Sequence, residues 1–228
     1  MPATPISFHG IFIAAYATCV PTDAATSTIS LDDAIATAAT GDLWLFRGRS
    51  GADRAIQTLT NSPVNHVGMV VAIDDLPPLM WHAELGASLE DVWTGKRQRG
   101  VQLHHLRAAV DRWRDVYGQR AWLRQLSAGE ITRQHEDRLM EAIGRYNGRA
   151  FPKPTTLLRQ FARSRVVPGQ PRAQETAFCA EVVAATYQHM GLLAKDHDPS
   201  WYDPGTFWSG DGTELLPPFS LGAEIAVA

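Results

Sequence analysis

The sequence predicts an α+β fold in which an antiparallel sheet packs against a helix that carries a cysteine. Three observations lead to it. Short stretches rich in branched and aromatic residues, bounded by glycine, proline or asparagine, recur between residues 41 and 126. Helical spacing of apolar residues then takes over from Arg133 to Tyr146. A later helix, read from about Ala177 to Met190 with Gly191 as its stop, holds Phe178-Cys179-Ala180-Glu181-Val182-Val183 near its start. At 228 residues with 45% hydrophobic and 20% charged side chains, the chain is long enough and apolar enough to bury a single core. Residues 30–228 read as one domain, preceded by an N-terminal arm over 1–29.

Within the arm, Gly10-Ile11-Phe12-Ile13-Ala14-Ala15-Tyr16-Ala17 is similar to the apolar centre of a signal peptide, but no Lys or Arg precedes it and it is too short to span a bilayer. Cys19 follows a context, Tyr16-Ala17-Thr18, that fits a lipidation site poorly. The two cysteines, Cys19 and Cys179, are far apart, so reduced thiols are expected and a cytoplasmic location is favoured, with export as the alternative. A net charge of -3 gives no general attraction to nucleic acid or to anionic lipid. Nor is an integral membrane segment expected.

Ser30-Leu31-Asp32-Asp33 has the form of a helix cap, opening a short helix through Ala39 that Gly41 ends. Gly41-Asp42-Leu43-Trp44-Leu45-Phe46-Arg47-Gly48 reads as a strand, and Ala52, Ala55, Ile56 and Leu59 recur at helical spacing after it. Asn61-Ser62-Pro63 breaks that helix ahead of the next strand. There, His66, Gly68, Val70 and Ala72 alternate with Val67, Met69, Val71 and Ile73, which places histidine beside glycine on one face and core residues on the other. The short connection through Pro77 and Pro78 to Leu79-Met80-Trp81-His82-Ala83-Glu84-Leu85 makes an antiparallel hairpin the simplest pairing, with His82 or Glu84 brought beside His66. Gly100–Leu106 and Arg120–Leu126 supply two further strands, and the region of Trp113 and Tyr117 between them is irregular or helical. Leu139, Met140 and Ile143 form the stripe of the helix that Thr132 caps and Asn147-Gly148 ends. From Phe151 to Gln174 the chain is rich in Pro and Arg, including Arg159, Arg163, Arg165 and Arg172; this reads as a solvated connector, a cover over a cleft or a docking surface for an acidic partner.

A cysteine at a helix start lies at the positive end of the macrodipole, near free N–H groups, and this favours the thiolate. With an imidazole in hydrogen-bond reach, such a thiolate is a nucleophile with its base. Taken singly, the residues have bland readings: a helical cysteine is usually a small apolar core residue, and a strand histidine a satisfied one. His9, His104, His105, His135, His189 and His197 show no metal-ligand spacing, and His104 and His105, adjacent on a strand, face opposite ways. No metal site or organic cofactor is expected.

Gly41–Phe46, Asn65–Val71, Met80–Ala83 and Phe178–Val183, in that order, together resemble the permuted NlpC-type papain-like proteins, especially the YiiX-like branch, with relatives of lecithin:retinol acyltransferase sharing the order. The resemblance covers most of the chain after about residue 40, including the strand near Trp122 and Tyr146-Asn147-Gly148. It implies a circularly permuted papain-like domain, with Cys179 as nucleophile, His66 as general base and acid, and His82 orienting His66. The YiiX-like branch tends to carry a carboxylate where this chain has His82, so Glu84 stays open as the orienting residue. The implied chemistry is acyl transfer through a Cys179 thioester, on the amide of a peptide or cell-wall fragment or on a lipid acyl bond, with helix N–H groups as oxyanion donors. The expected partner is thus a small-molecule, peptide or lipid substrate; the alternative is a papain-like binding module whose thiol is idle. Trp201-Tyr202-Asp203-Pro204-Gly205-Thr206-Phe207-Trp208 either lines the cleft or anchors a loop.

Overall fold

The computed structural model describes residues 27–48, 62–74, 76–150, 171–209 and 213–228, with residues 171–177 described by backbone alone. Cys19, the expected helix of Ala52 to Leu59, Arg159, Arg163, Arg165 and the side chain of Arg172 lie outside the described residues.

The chain forms a mixed α+β structure built on one seven-stranded sheet. In sequence order the elements are β1 (Thr28–Ile29), α1 (Leu31–Ala36), β2 (Leu43–Arg47), β3 (His66–Val71), β4 (Leu79–Glu84), β5 (Gly100–His105), α2 (Leu106–Asp111), a π-helical turn (Arg112–Val116), β6 (Arg120–Ser127), α3 (Arg133–Tyr146), α4 (Pro171–Met190), short 3₁₀ turns at Pro199–Trp201 and Pro204–Phe207, and β7 (Ser220–Val227). Across the sheet the order is β1-β7-β6-β2-β3-β4-β5, antiparallel throughout except for β1 against β7. Two residues of the expected arm, Thr28 and Ile29, therefore belong to the sheet.

Alternation along the central strands sends side chains to two different cores. On one face Leu43, Leu45, Val67, Met69, Val71, Trp81, Ala83, Val101 and Leu103 pack with Leu139 and Ile143 of α3 and with Val182, Val183 and Tyr187 of α4. On the other, Trp44, Phe46, Val70 and Met80 pack with Leu106, Ala109 and Val110 of α2 and with Trp113 of the π-helical turn. Being covered on both sides, β2 and β3 read as nearly continuous apolar runs. Each fully buried Leu, Val or Met stabilises the fold by roughly 1.5–3 kcal/mol, so these two layers, more than helix propensity, hold α2 and α4 in place. Tyr187 and Thr186 fix α4 further: the phenol donates to the Gly41 carbonyl, and the Thr186 hydroxyl accepts from Trp81 Nε1 at 3.0 Å.

Several local expectations hold. Ser30 caps α1 by accepting the Asp33 N–H at 3.1 Å, α3 runs from Arg133 to Tyr146, and α4 ends where Gly191 takes a φ of +86° that other residues rarely adopt. The stripe of α3 differs in one residue: Leu139, Ala142 and Ile143 are buried, while Met140 is 37% exposed. The expected start of α4 needs correction. The helix begins at Pro171 and not near Ala177, so Cys179 is its ninth residue.

The outer edge of β5 is covered. The N–H of Val101 donates to the Arg149 carbonyl and that of Leu103 to Asp91 Oδ1, while their carbonyls accept from the N–H groups of Gly148 and Val92. Among the described residues, no helix is long and apolar enough to cross a membrane.

Candidate functional site

His66 is the first residue of β3, and period-two alternation turns its ring toward Phe46 and Trp113, on the α2 side of the sheet. The imidazole lies flat on the Trp113 indole, with centroids 3.8 Å apart and planes 12° off parallel. It is fully buried. The register of β3 on β4 brings His82 to the same face, and His66 Nε2 meets His82 Nδ1 at 3.0 Å. Gly68 makes this approach: a Cβ there would lie 2.9 Å from Met80 Cγ and 3.3 Å from His82 Cβ. Gly68→Ala is therefore expected to displace the Met80 side chain and to shift His82 against His66 by a few tenths of an ångström, and histidine NMR shifts that match those of the parent chain would contradict this packing.

The chain of rings continues across β5. His82 Nε2 meets His104 Nδ1 at 3.0 Å, and His104 Nε2 meets Gln102 Oε1 at 3.1 Å. The Gln102 amide is oriented by its own NH₂ group, which donates to the carbonyls of Gly86 at 3.3 Å and Glu84 at 3.5 Å. Its oxygen can only accept, so the proton on His104 sits on Nε2. A neutral His104 then offers a bare Nδ1, which must accept from His82 Nε2–H; His82 Nδ1 must in turn accept from His66 Nε2–H. The proton positions of three rings follow from one amide. At the end of the chain is His66 Nδ1, a lone pair that is buried and has no hydrogen-bond partner among the described residues.

Burial keeps the rings neutral. Desolvation lowers the His66 pKa to about 3, and desolvation, offset in part by Asp91, lowers that of His104 to about 4. His82 is pushed well below the ordinary range by desolvation and then by its two neighbouring rings. Beside them, Glu84 Oε2 lies 4.0 Å from His82 Nε2 and 3.9 Å from His104 Nδ1, and Glu84 Oε1 accepts the Tyr117 hydroxyl at 2.7 Å. Desolvation raises the Glu84 pKa. Between the two residues open as partner to His66, it is His82 that touches the ring, with Glu84 behind it.

Cys179 is placed elsewhere. It is fully buried, forms no disulfide, and belongs to the core of Val67, Met69, Ala83 and α4, on the opposite face of the sheet from His66. Neither nitrogen of His66 meets its sulfur, because Nε2 is with His82 and Nδ1 has no partner. The structure thus brings His66 and His82 together and leaves Cys179 one sheet face away. The ninth position of α4 also lies inside the helix, where backbone N–H groups are committed to carbonyls one turn back, so the expected end-of-helix activation of the thiol is not formed. Of the C-terminal aromatics, Tyr202 and Phe207 act as anchors, buried in the α4 core and stacked at 6.0 Å, while Trp201 is 41% exposed.

On sequence, His104 is set aside as lacking metal-ligand spacing, Trp113 is placed only in an irregular or helical region, and Gln102 is given no role. Local spacing hid them, since His104 reaches His82 only through the β4–β5 register.

Comparison with solved structures finds a likeness of fold. The crystal structure of metalloprotein yiiX from Escherichia coli O157:H7 (DUF1105) superposes with a TM-score of 0.43 and 18% sequence identity, covering 82% of this chain and 97% of that one. No family model matches the chain. No curated protein matches it either.

Proposed function

We propose that the chain is a thiol-dependent acyl hydrolase or acyltransferase of the papain-like kind, with His66 as its base, His82 as the residue that positions it and Cys179 as the nucleophile. The observation that carries this reading is the bare Nδ1 of His66. A hydrogen-bonded chain that leaves a strand imidazole with Nε2 protonated and Nδ1 bare supplies the acceptor a general base needs, and the desolvation that lowers its pKa to about 3 must be relieved as the site opens before it can hold a proton. Cys179 shares a core with Val67, the residue after His66 on β3, so a turn at the His66 end of the strand is what would carry the ring toward it. Reaction requires that turn, or a matching shift of α4, to bring Sγ and Nδ1 together. Cys179 would then attack the substrate carbonyl and pass its proton to Nδ1, which returns it to the departing amine or alcohol as the C–N or C–O bond breaks; water or another acceptor, giving its proton to Nδ1, then takes the acyl group from the thioester and the thiol is reprotonated.

The separation of Cys179 from His66 favours a second reading, in which the domain binds a ligand and the thiol is idle. One experiment decides between them. Acyl-ester and peptide-amide probes are incubated with the parent chain, Cys179→Ala and His66→Asn, and intact mass is recorded. The first reading expects an acyl adduct on Cys179 that Cys179→Ala lacks, and turnover reduced about 10²- to 10⁴-fold in His66→Asn. Equal masses and equal background turnover in all three proteins would remove it and leave the binding module.

A further inference from the structure

We propose that His82 Nε2, His104 Nδ1 and Glu84 Oε2 form a site for one divalent transition-metal ion of the zinc class, which takes the place of the proton now shared between the two rings. The three atoms are separated by 3.0, 3.9 and 4.0 Å. A point equidistant from them lies about 2.1 Å from each, which is the ordinary length of a zinc bond to imidazole nitrogen or carboxylate oxygen. All three residues are buried, and among the described residues they are the group of histidine and acidic side chains close enough to hold an ion.

The surroundings are those of a ligand set. Each donor residue is held through its other polar atom: His104 Nε2 by Gln102, His82 Nδ1 by His66, and Glu84 Oε1 by the Tyr117 hydroxyl. Such outer partners hold the orientation of a metal ligand's ring or carboxylate. Two imidazoles and a carboxylate select zinc and its neighbours over magnesium or calcium, and three protein ligands leave a further position for water or a ligand. Other charged groups near the site are Arg112, whose charge acts on Glu84 and Tyr117, and Asp91 and His105, whose charges act on His104 in opposite senses.

Binding has a consequence for the proton chain, and the protons balance. Before binding, each of the three rings carries its proton on Nε2. The ion occupies His82 Nε2, so that proton appears on His82 Nδ1 and is donated to His66 Nε2; the proton of His66 Nε2 then appears on His66 Nδ1. His104 keeps its Nε2–H on Gln102 while its Nδ1 binds the ion. Three ring protons remain three, and an ionised Glu84 releases none. Metal loading therefore converts His66 Nδ1 from an acceptor into a donor, three strands being linked without a change in ring charge. The site shares His82 with the proposed base pair, and loading it would remove the bare Nδ1 which that pair needs, but zinc binding itself uses no group on the α4 face and is read out apart from thiol turnover.

The test is zinc titration of the chelator-stripped full chain, followed by calorimetry and by ¹⁵N NMR of the histidine rings, in the parent, Glu84→Gln, His104→Gln and Cys179→Ala. One equivalent is expected in the parent and in Cys179→Ala, with binding weakened about 100-fold or more in the other two. On loading, the His66 resonances should exchange an Nε2–H pattern for an Nδ1–H pattern, which adventitious zinc on the exposed pairs His189–Glu141 or His197–Asp196 cannot produce. No zinc bound by the parent, unchanged affinity in Glu84→Gln and His104→Gln, or zinc bound with the His66 pattern unaltered would each overturn the proposal.

Discussion

Replacing Trp113 with alanine should cost the fold about 3–5 kcal/mol and return His66 toward the titration range of a free imidazole. The first effect follows from size, since the indole is 3% exposed and removal of a buried Trp leaves a cavity that the neighbours only partly fill. Phe46 at 5.3 Å and Tyr117 at 5.2 Å both rest on it, so the loss extends across the π-helical turn. The second effect follows from the cause of the low His66 pKa, which is desolvation: opening the stacked face to water removes the penalty on the imidazolium. Denaturant unfolding and a histidine NMR titration measure the two together. A large loss of stability with His66 still silent down to pH 4 would show that water does not enter, and that Trp113 is not what keeps the ring dry.

Acid should unfold the chain through the same rings. Unfolded, His66 and His104 titrate near 6.5; folded, they hold out to about 3 and about 4. Their contribution to stability is complete above pH 6.5 and is lost as pH falls toward the folded values, because the unfolded chain takes up protons that the folded chain refuses. Each ring contributes a slope of about 1.4 kcal/mol per pH unit. Glu181 acts in the opposite sense. Desolvation, then Asp198, raises it to about 7 against an ordinary 4.5, so its contribution is present below pH 4.5 and lost as pH climbs to 7. Between pH 6.5 and 4.5 it cancels one of these two rings. Stability should therefore fall in this window with the slope of about one group, or somewhat more because His82 titrates in the same sense, and Glu181→Gln should steepen the fall by about one group. Flat stability across the window in both proteins would mean that the rings are hydrated in the folded chain.

The strands and α3 were legible because their signals are local. Period-two alternation identified β3 and β4, a short connection made them antiparallel, and the faces followed, with His66 and His82 together on one and Val67 and Met69 on the other. Alternation did not say which face the Cys179 helix covers, because both faces carry a core. A helix carrying Val182 and Val183 packs on the Val67 face, and that is the face His66 leaves. The start of α4 also had a local signal: Pro171 at a first helical position followed by Arg172, Ala173, Gln174 and Glu175, all good helix formers, within a segment read only for its Pro and Arg content. His104 had none. Its place beside His82 depends on a register between strands separated by the long connection from Leu85 to Arg99, and no spacing rule along the chain encodes that distance.

The covering of β5 limits how this molecule meets others. An extended peptide that sought to lengthen the sheet there would find the donors and acceptors of Val101 and Leu103 already satisfied by the chain itself. Recognition on that flank then falls to side chains, which select by shape and charge, and growth of the sheet from copy to copy by main-chain pairing is blocked at its histidine-bearing side.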